Sequence, residues 1–343
     1  MIRIDGSYGE GGGQILRYAV ALSVLTNKPV EIINIRAKRP NPGLRAQHHT
    51  AISCMQSLCG ADVEGLSVGS SKLTFSPGNV KPGDYKFDIG TAGSITLVFQ
   101  ACILCSLKTN NPITIKLRGG TDVKWSPSWD YFVNVFLPLV QKMGIKTEVK
   151  LIKRGYYPKG GGEAILKIFP VRNLQPLGLA DKQVFKEIRG IINIANLPDH
   201  IAQRMKHTAI KVAVKNNLQT SITIDKTTSF SAGTGITLWS TSNSTVLGST
   251  VLGEKGVSSE EIGENAANQL INDIKLGATI DTFAMDQILP YMALTEDKSV
   301  CMVRELSNHA KTNIWLLKQF FDVEIEINEK QELMQLSVNK RHI

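Results

Sequence analysis

Residues 2–26, IRIDGSYGEGGGQILRYAVALSVLT, join a short alternating strand to a long apolar helix through a glycine-rich turn. The alternation in IRID fits a half-buried strand, and the three-to-four spacing in QILRYAVALSVLT fits a helix. A similar order returns in YKFDIGTAGSITLVFQACILCSL (85–107) and in ATIDTFAMDQILPYMALTED (278–297). Each is followed by a strand (VEIINI, ITIKL, SVCMVREL), a polar loop, a second helix (LRAQHHTAISCMQSLC, WDYFVNVFLPLVQKMG, KTNIWLLKQFF) and a closing pair of strands. Self-similarity at this scale marks repeated structural units. The expected class is α/β (α+β), with three repeated β-α-β-α-β units packed around a pseudo-threefold axis.

The first two units begin about eighty residues apart and the third nearly two hundred later, so about a hundred residues are inserted before it. That stretch has its own pattern: strand EIRGIINIA, helix DHIAQRMKHTAIKVAV, strands TSITID and GITLWSTS, and helix SSEEIGENAANQLINDIK. A β-α-β-β-α order predicts a smaller, thioredoxin-like α/β domain over 184–276. Residues 1–183 and 277–343 form the large domain. The insert has no CxxC, so a redox role does not follow from its shape.

The chain has 343 residues and a net charge of +9, which favours phosphate-rich partners such as RNA or nucleotides. No apolar run reaches the ~20 residues of a membrane span, and the start MIRIDGSYGEGGG does not read as a signal peptide. The expectation is a cytoplasmic protein with no membrane contact. The five cysteines, Cys54, Cys59, Cys102, Cys105 and Cys301, lie in apolar segments and read as reduced, buried thiols. Cys102 and Cys105 have CxxC spacing, but no second pair exists to complete a zinc site.

The loops before the second helices, RAKRPNPGLRAQHH, RGGTDVKWSPSWD and RELSNHAKTN, each open with an arginine after a strand. In a threefold packing they could converge on one cleft. The turns SYGEGGGQ, IGTAGS and FAMDQ precede the first helices, and glycine-rich turns at helix N-termini present N–H groups suited to phosphate. GEGGGQIL matches neither GxGxxG nor the P-loop, and tight packing explains its glycines equally well. Arg36, Lys38, Arg39 and Arg45 form the densest basic cluster, stiffened by PNPG and suited to phosphate oxygens. Glu10 is the acid of its loop, read either as a surface carboxylate or as a Mg²⁺ ligand shared with substrate phosphates. Ser307 or Asn308 caps the helix that follows, putting His309 in the first turn, where the helix dipole disfavours imidazolium. A neutral imidazole there could attack phosphorus, or it could be an exposed or capping histidine.

The motifs GSYGEGGGQILRYA, RPNPGLRAQH, DIGTAGSITLV, RGGTDVKWSPS, RGYYPKGGGE and AMDQILPYMAL, taken in order across nearly the whole chain, resemble those of RNA 3′-terminal phosphate cyclases. The resemblance implies three α/β units with an inserted small domain. It also implies ATP-dependent conversion of an RNA 3′-phosphate to a 2′,3′-cyclic phosphodiester, releasing AMP and pyrophosphate. By the same resemblance His309 is the nucleophile that forms a covalent histidyl-AMP, and Glu10 contacts Mg²⁺ or Mn²⁺ bridging the phosphates of ATP. Gln14, Arg17, Arg36, Arg39 and Gln47 match the polar cluster around the phosphates and the RNA end. Pro127 and Phe283 match a pair that sandwiches adenine, while Asp286 and Gln287 fall on the nucleotide side, Asp286 placed to orient the imidazole. Phe283 departs from the pattern, because a tyrosine is common there; stacking survives but a hydroxyl is lost. The glycines of YYPKGGGE read as a structural turn, and Lys159 as a residue that could approach RNA. Expected partners are ATP and RNA ending in a 3′-phosphate, and a homodimer is one expectation for assembly. Two rival readings share the architecture: a non-catalytic cyclase-like protein of ribosome assembly, which would lack the histidine, and an enolpyruvyl-transferase relative.

Overall fold

The computed structural model describes residues 1–341. It is a mixed α/β protein built on four-stranded sheets. The first sheet contains β1 (Ile2–Asp5), β2 (Val30–Ile33), β3 (Asp62–Glu64) and β4 (Leu73–Ser76) in the order β1-β2-β4-β3. Its β1–β2 pair is parallel and its other pairs antiparallel. The second contains β5 (Gly83–Asp88), β6 (Ile113–Gly119), β7 (Thr147–Lys153) and β8 (Gly162–Ile168), ordered β5-β6-β8-β7, again with one parallel pair followed by two antiparallel ones.

The short β9 (Gly178–Leu179) leaves the chain before a separate sheet of β10 (Glu187–Ala195), β11 (Gln219–Thr227), β12 (Gly233–Thr241) and β13 (Val246–Leu252), ordered β11-β10-β12-β13. After it, β14 (Ser299–Val303), β15 (Val323–Lys330) and β16 (Leu333–Lys340) complete a sheet with β9, ordered β15-β16-β14-β9. There β9 pairs in parallel with β14, and β16 is antiparallel to both neighbours.

Helices α1 (Gly13–Thr26), α2 (Ala46–Cys59) and α3 (Ile95–Cys105) pack on one another beneath the first two sheets. α1 is apolar nearly all round, with Gln14 to Leu25 buried, as a helix covered on every side must be. A continuous helical stretch follows, made of α4 (Trp129–Tyr131), a π-helical turn Phe132–Phe136 and α5 (Leu137–Lys142). The β11-β10-β12-β13 sheet is covered by α6 (Asp199–Lys215) and α7 (Ser259–Leu276), whose Ala202, Met205, Ala266 and Leu270 belong to a second buried cluster. Finally, α8 (Thr282–Met292) and α9 (Asn308–Phe320) pack together, and α9 also packs on α1. All five cysteines are buried free thiols.

Several expectations need correction. The segment 278–286 is not a strand-and-turn: Asp281 accepts hydrogen bonds from the backbone N–H groups of Phe283 and Ala284, at 3.1 and 2.9 Å, and starts α8 at Thr282. Asp286 and Phe283 are therefore helical, and the parallel strand beside β14 is β9. The segment 184–276 has a further strand, β13, before its last helix. Its Gly248 lies against α4 and the π-turn, where an added Cβ would stand 2.4 Å from Val135.

The second sheet and the β11-β10-β12-β13 sheet are joined by a buried polar knot. Arg154 donates from Nη1 to Asp122 at 3.1 Å, from Nη2 to Asp130 at 2.9 Å and from Nε to Asp225 at 2.7 Å. Asn193 bridges both buried aspartates and accepts from Tyr156 at 2.9 Å. Burial raises the pKa of Asp130 despite the arginine, so the ion pairs hold groups that would otherwise resist being charged there.

Candidate active site

The loop 6–12 between β1 and α1 lies on the N-terminal end of α9. Gly9 is in the left-handed region (φ 57°), and a Cβ there would stand 2.5 Å from Oγ1 of Thr312 in α9. Tyr8 stacks on Trp315 of the same helix, with ring centroids 3.9 Å apart and planes 12° from parallel. These contacts fix Glu10 beside His309.

Ser307 is the cap of α9: its Oγ accepts from the N–H of Ala310 at 3.0 Å and donates to Asp286 of α8. His309 thus occupies the first turn, half-buried. Its Nε2 lies 3.4 Å from Oε2 of Glu10, which also accepts from Nη2 of Arg39 at 3.1 Å. The His309–Glu10 separation exceeds that of a good hydrogen bond, and neither ring nitrogen has a hydrogen-bond partner among the described residues. Burial lowers the pKa of His309, the positive charges of Arg17 and Arg39 push it the same way, and Glu10 opposes them. The ring is therefore neutral near pH 7, with nitrogen lone-pair density available.

Arg17 is the second feature. It is 9% exposed on α1, and no carboxylate or hydrogen-bond acceptor meets its guanidinium among the described residues. Burial alone drives its pKa down to about 10. Gln14, one turn earlier and on the same face, has a buried Oε1 without a partner. A buried cation and an orphaned amide oxygen are both costly in the free protein; an anion would relieve the arginine, and a hydroxyl or amino donor of a ligand would relieve the oxygen.

His48 forms a wall that the sequence did not disclose. Its Nδ1 accepts from the N–H of Arg45 at 3.3 Å, and its Nε2 would stand 1.9 Å from a Cβ at Gly13, so only glycine fits there. Burial, reinforced by Arg17, Arg36 and Arg45, pushes its pKa down to about 3. The doubled histidine after an arginine-rich loop was the only sequence signal.

Other residues are committed elsewhere. Arg36, Arg118 and Arg304 have different partners: Arg36 closes its own loop through the carbonyls of Asn41 and Gly43, Arg118 pairs with Asp88, and Arg304 binds Asp273 of α7. Gln47 accepts from the N–H of Ser94 at 2.9 Å and ties α2 to the start of α3. Gln287 bridges Gln100 and the carbonyl of Phe283 inside the core. Asp286 accepts from the cap residue Ser307, through which it reaches the start of α9. Burial raises its pKa to about 7, with Asp281 and Glu10 adding and the Ser307 hydrogen bond opposing. Phe283 is 52% exposed, and Pro127 lies half-buried on a neighbouring loop. The two elements are linked by Tyr131, which donates to Asp281 at 2.6 Å. Among the described residues no group of three or more His, Cys, Asp or Glu side chains could cage a metal. A lone carboxylate such as Glu10 fits a hard cation completed by substrate phosphates.

The profile of the family described as RNA 3′-terminal phosphate cyclase matches residues 8–327. The chain belongs to this family. An RNA 3′-terminal phosphate cyclase of Pyrococcus furiosus is 43% identical over 327 residues, covering 95% of each chain. Its namesake in Methanopyrus kandleri is 40% identical over 338 residues, covering 96% of each. That of Methanosarcina mazei is 42% identical over 357 residues, covering 98% of this chain and all of the relative. Against solved structures, the enolpyruvyl transferase NikO of Streptomyces tendae gives a TM-score of 0.28 at 14% identity, covering 62% of this chain and 37% of that one, too slight a likeness to carry an argument. No helix among the described residues is long and apolar enough to cross a membrane.

Proposed function

We propose that this cyclase-family chain converts an RNA 3′-terminal phosphate to a 2′,3′-cyclic phosphodiester at the expense of ATP, through adenylylation of His309. The observation that carries this is a neutral imidazole at a helix start, 3.4 Å from the Glu10 carboxylate, among Arg17 and Arg39. In the first step a ring nitrogen of His309 attacks the α-phosphorus of ATP: an N–P bond forms, the bond to the bridging oxygen breaks, and pyrophosphate leaves. An oxygen of the RNA 3′-phosphate then takes the adenylyl group from nitrogen, regenerating neutral His309. Attack of the adjacent O2′ on the activated 3′-phosphorus closes the ring, releases AMP and gives the hydroxyl proton to a base.

Arg17 supplies a fixed donor for phosphate, needing little reorganisation as charge develops, and Gln14 offers its Oε1 to a donor of the substrate. Asp286 is a positioning residue: through Ser307 it sets the cap that orients His309. Pro127 and Phe283 are assigned to the adenine, Arg36 and Arg39 to phosphate and the RNA end, and Gln47 and Gln287 to holding these elements in register. Glu10 would hold Mg²⁺ or Mn²⁺, which when bound offsets charge on the phosphates of ATP.

The shared strand order and pairing sense of three sheets support three repeated units around a pseudo-threefold axis. The separate buried cluster of 184–276 supports an inserted domain. Free, buried cysteines fit a reducing cytoplasm.

The test is an RNA oligonucleotide with a labelled 3′-phosphate, incubated with the protein and ATP. The label should become resistant to phosphatase only when ATP is present. Label that stays phosphatase-sensitive with folded protein and either metal would overturn the proposal.

A further inference from the structure

Three loops, one of which also carries Pro127, bear exposed aromatic side chains to which the adenylyl-transfer steps assign no role. Trp125 is 96% exposed, Tyr157 77% and Phe230 51%. Trp125 also holds a positive φ of 62°, unusual for a bulky residue that packs on nothing. The loops are tied together: Asp122 bridges Tyr156, and Lys159 donates its N–H to Ser231 at 3.1 Å. The glycines after Lys159 explain the rest of the junction. Gly160 (φ 62°) has room for no Cβ against the backbone of Thr91 and Ala92, at 2.8 Å, and Gly161 (φ 74°) would meet the ring of Phe230 at 2.3 Å.

A chain of close contacts links this surface to the site. Beyond Thr91 and Ala92, Gly93 lies on Gln47, and Gln47 is followed by His48, which walls the Gly13 turn beside Glu10. The surface is also basic. Nζ of Lys153 sits 3.6 Å from the ring centroid of Phe230, and neither Lys153 nor Lys159 has a carboxylate partner among the described residues. The nearby acids Asp225, Asp88 and Glu254 are paired with Arg154, Arg118 and Lys124.

We infer that Trp125, Tyr157 and Phe230, with Lys153 and Lys159, form a platform on which the unpaired RNA chain upstream of the reacting 3′ end stacks its bases. Aromatic faces beside unpaired lysines fit single-stranded nucleic acid, because every base has a face to stack and every linkage a charge to meet. A duplex would offer no free base faces to these rings. The inference rests on the function proposed above, and the experiment separates the two.

Fluorescence anisotropy would compare a 3′-phosphorylated dinucleotide, too short to reach the platform, with a 3′-phosphorylated oligonucleotide of about 12 nucleotides, within the roughly 4–16 that single-strand sites occupy. The longer RNA should bind the wild type more tightly. Phe230→Ala and Trp125→Ala should each weaken it about five-fold or more, the loss of one stacked base, leaving the dinucleotide unchanged. Lys159→Glu, on an exposed side chain with no packing to lose, should weaken the longer RNA and flatten its salt dependence. Phe230→Trp should retain binding, which guards against a variant that merely fails to fold.

Equal affinity of wild type for both lengths, or full affinity for the longer RNA in Trp125→Ala and Lys159→Glu, would overturn the inference. So would loss of self-association in these variants without loss of RNA affinity, the mark of a protein-docking surface. If cyclisation fails while length-dependent binding persists and depends on these residues, the function is wrong and the platform stands.

Discussion

Arg17→Met should make the free protein more stable and its nucleotide complex weaker. Arg17 is buried on α1 with no counter-charge, and burial drags its pKa to about 10, a cost of about 3 kcal/mol for keeping the guanidinium charged at pH 7. Methionine has a similar length and needs no counter-charge, so removing the charge should return about 1–3 kcal/mol, since some of the cavity was shaped for guanidinium. The assay is urea denaturation with and without ATP. A ligand at about 100 times its Kd adds about 2.7 kcal/mol to the wild type. The variant should start higher without ATP and gain much less with it. An Arg17→Met protein that is less stable without ATP, yet gains the wild-type increment with it, would refute the assignment and make Arg17 a packing residue.

The pH dependence of adenylylation follows from His309. Because its pKa is below the ordinary 6.5, labelling rates should exceed half their plateau at pH 6.5 and fall in more acid buffer; Glu10→Gln removes the charge that raises the pKa, so the fall should move to still lower pH. Asp286, with a folded pKa of about 7 against an ordinary 3.8, contributes stability that is full below about pH 4 and lost as pH rises through about 7. Asp286→Asn should therefore flatten the change in urea midpoint between those limits. Arg154→Met strands the buried Asp122 and Asp130 and should cost about 3–5 kcal/mol, read as a lower melting temperature. Gly13→Ala drives a methyl into the ring of His48 and should reduce ATP-induced stabilisation with little change in the far-ultraviolet spectrum of the free protein.

Much of this architecture was legible because local patterns and packing agree. The apolar run Gln14–Leu25 could only be a buried helix, and Ser307 before His309 set the start of α9 as expected. Where the structure departed, the deciding partner was distant in sequence. Strand β13 carries a glycine because α4 and the π-turn press on it, and nothing near Gly248 announces them. The start of α8 depends on Asp281, whose carboxylate also takes the Tyr131 hydroxyl and the N–H of Gly248. The arginines after the strands looked equivalent in sequence, yet their partners lie on a loop, a strand and α7. Arg17 has the opposite character: the family resemblance named it as a site residue, but its burial without a partner is seen only in the structure.

The central claim is that His309 carries the adenylyl group, and it is tested most directly by incubating the protein with α-labelled ATP and Mg²⁺ or Mn²⁺, without RNA, beside His309→Ala. The wild type should retain acid-labile label through denaturing electrophoresis, on the peptide containing His309, and the variant none. Label persisting in His309→Ala, or absent from folded wild type under both metals, would contradict it.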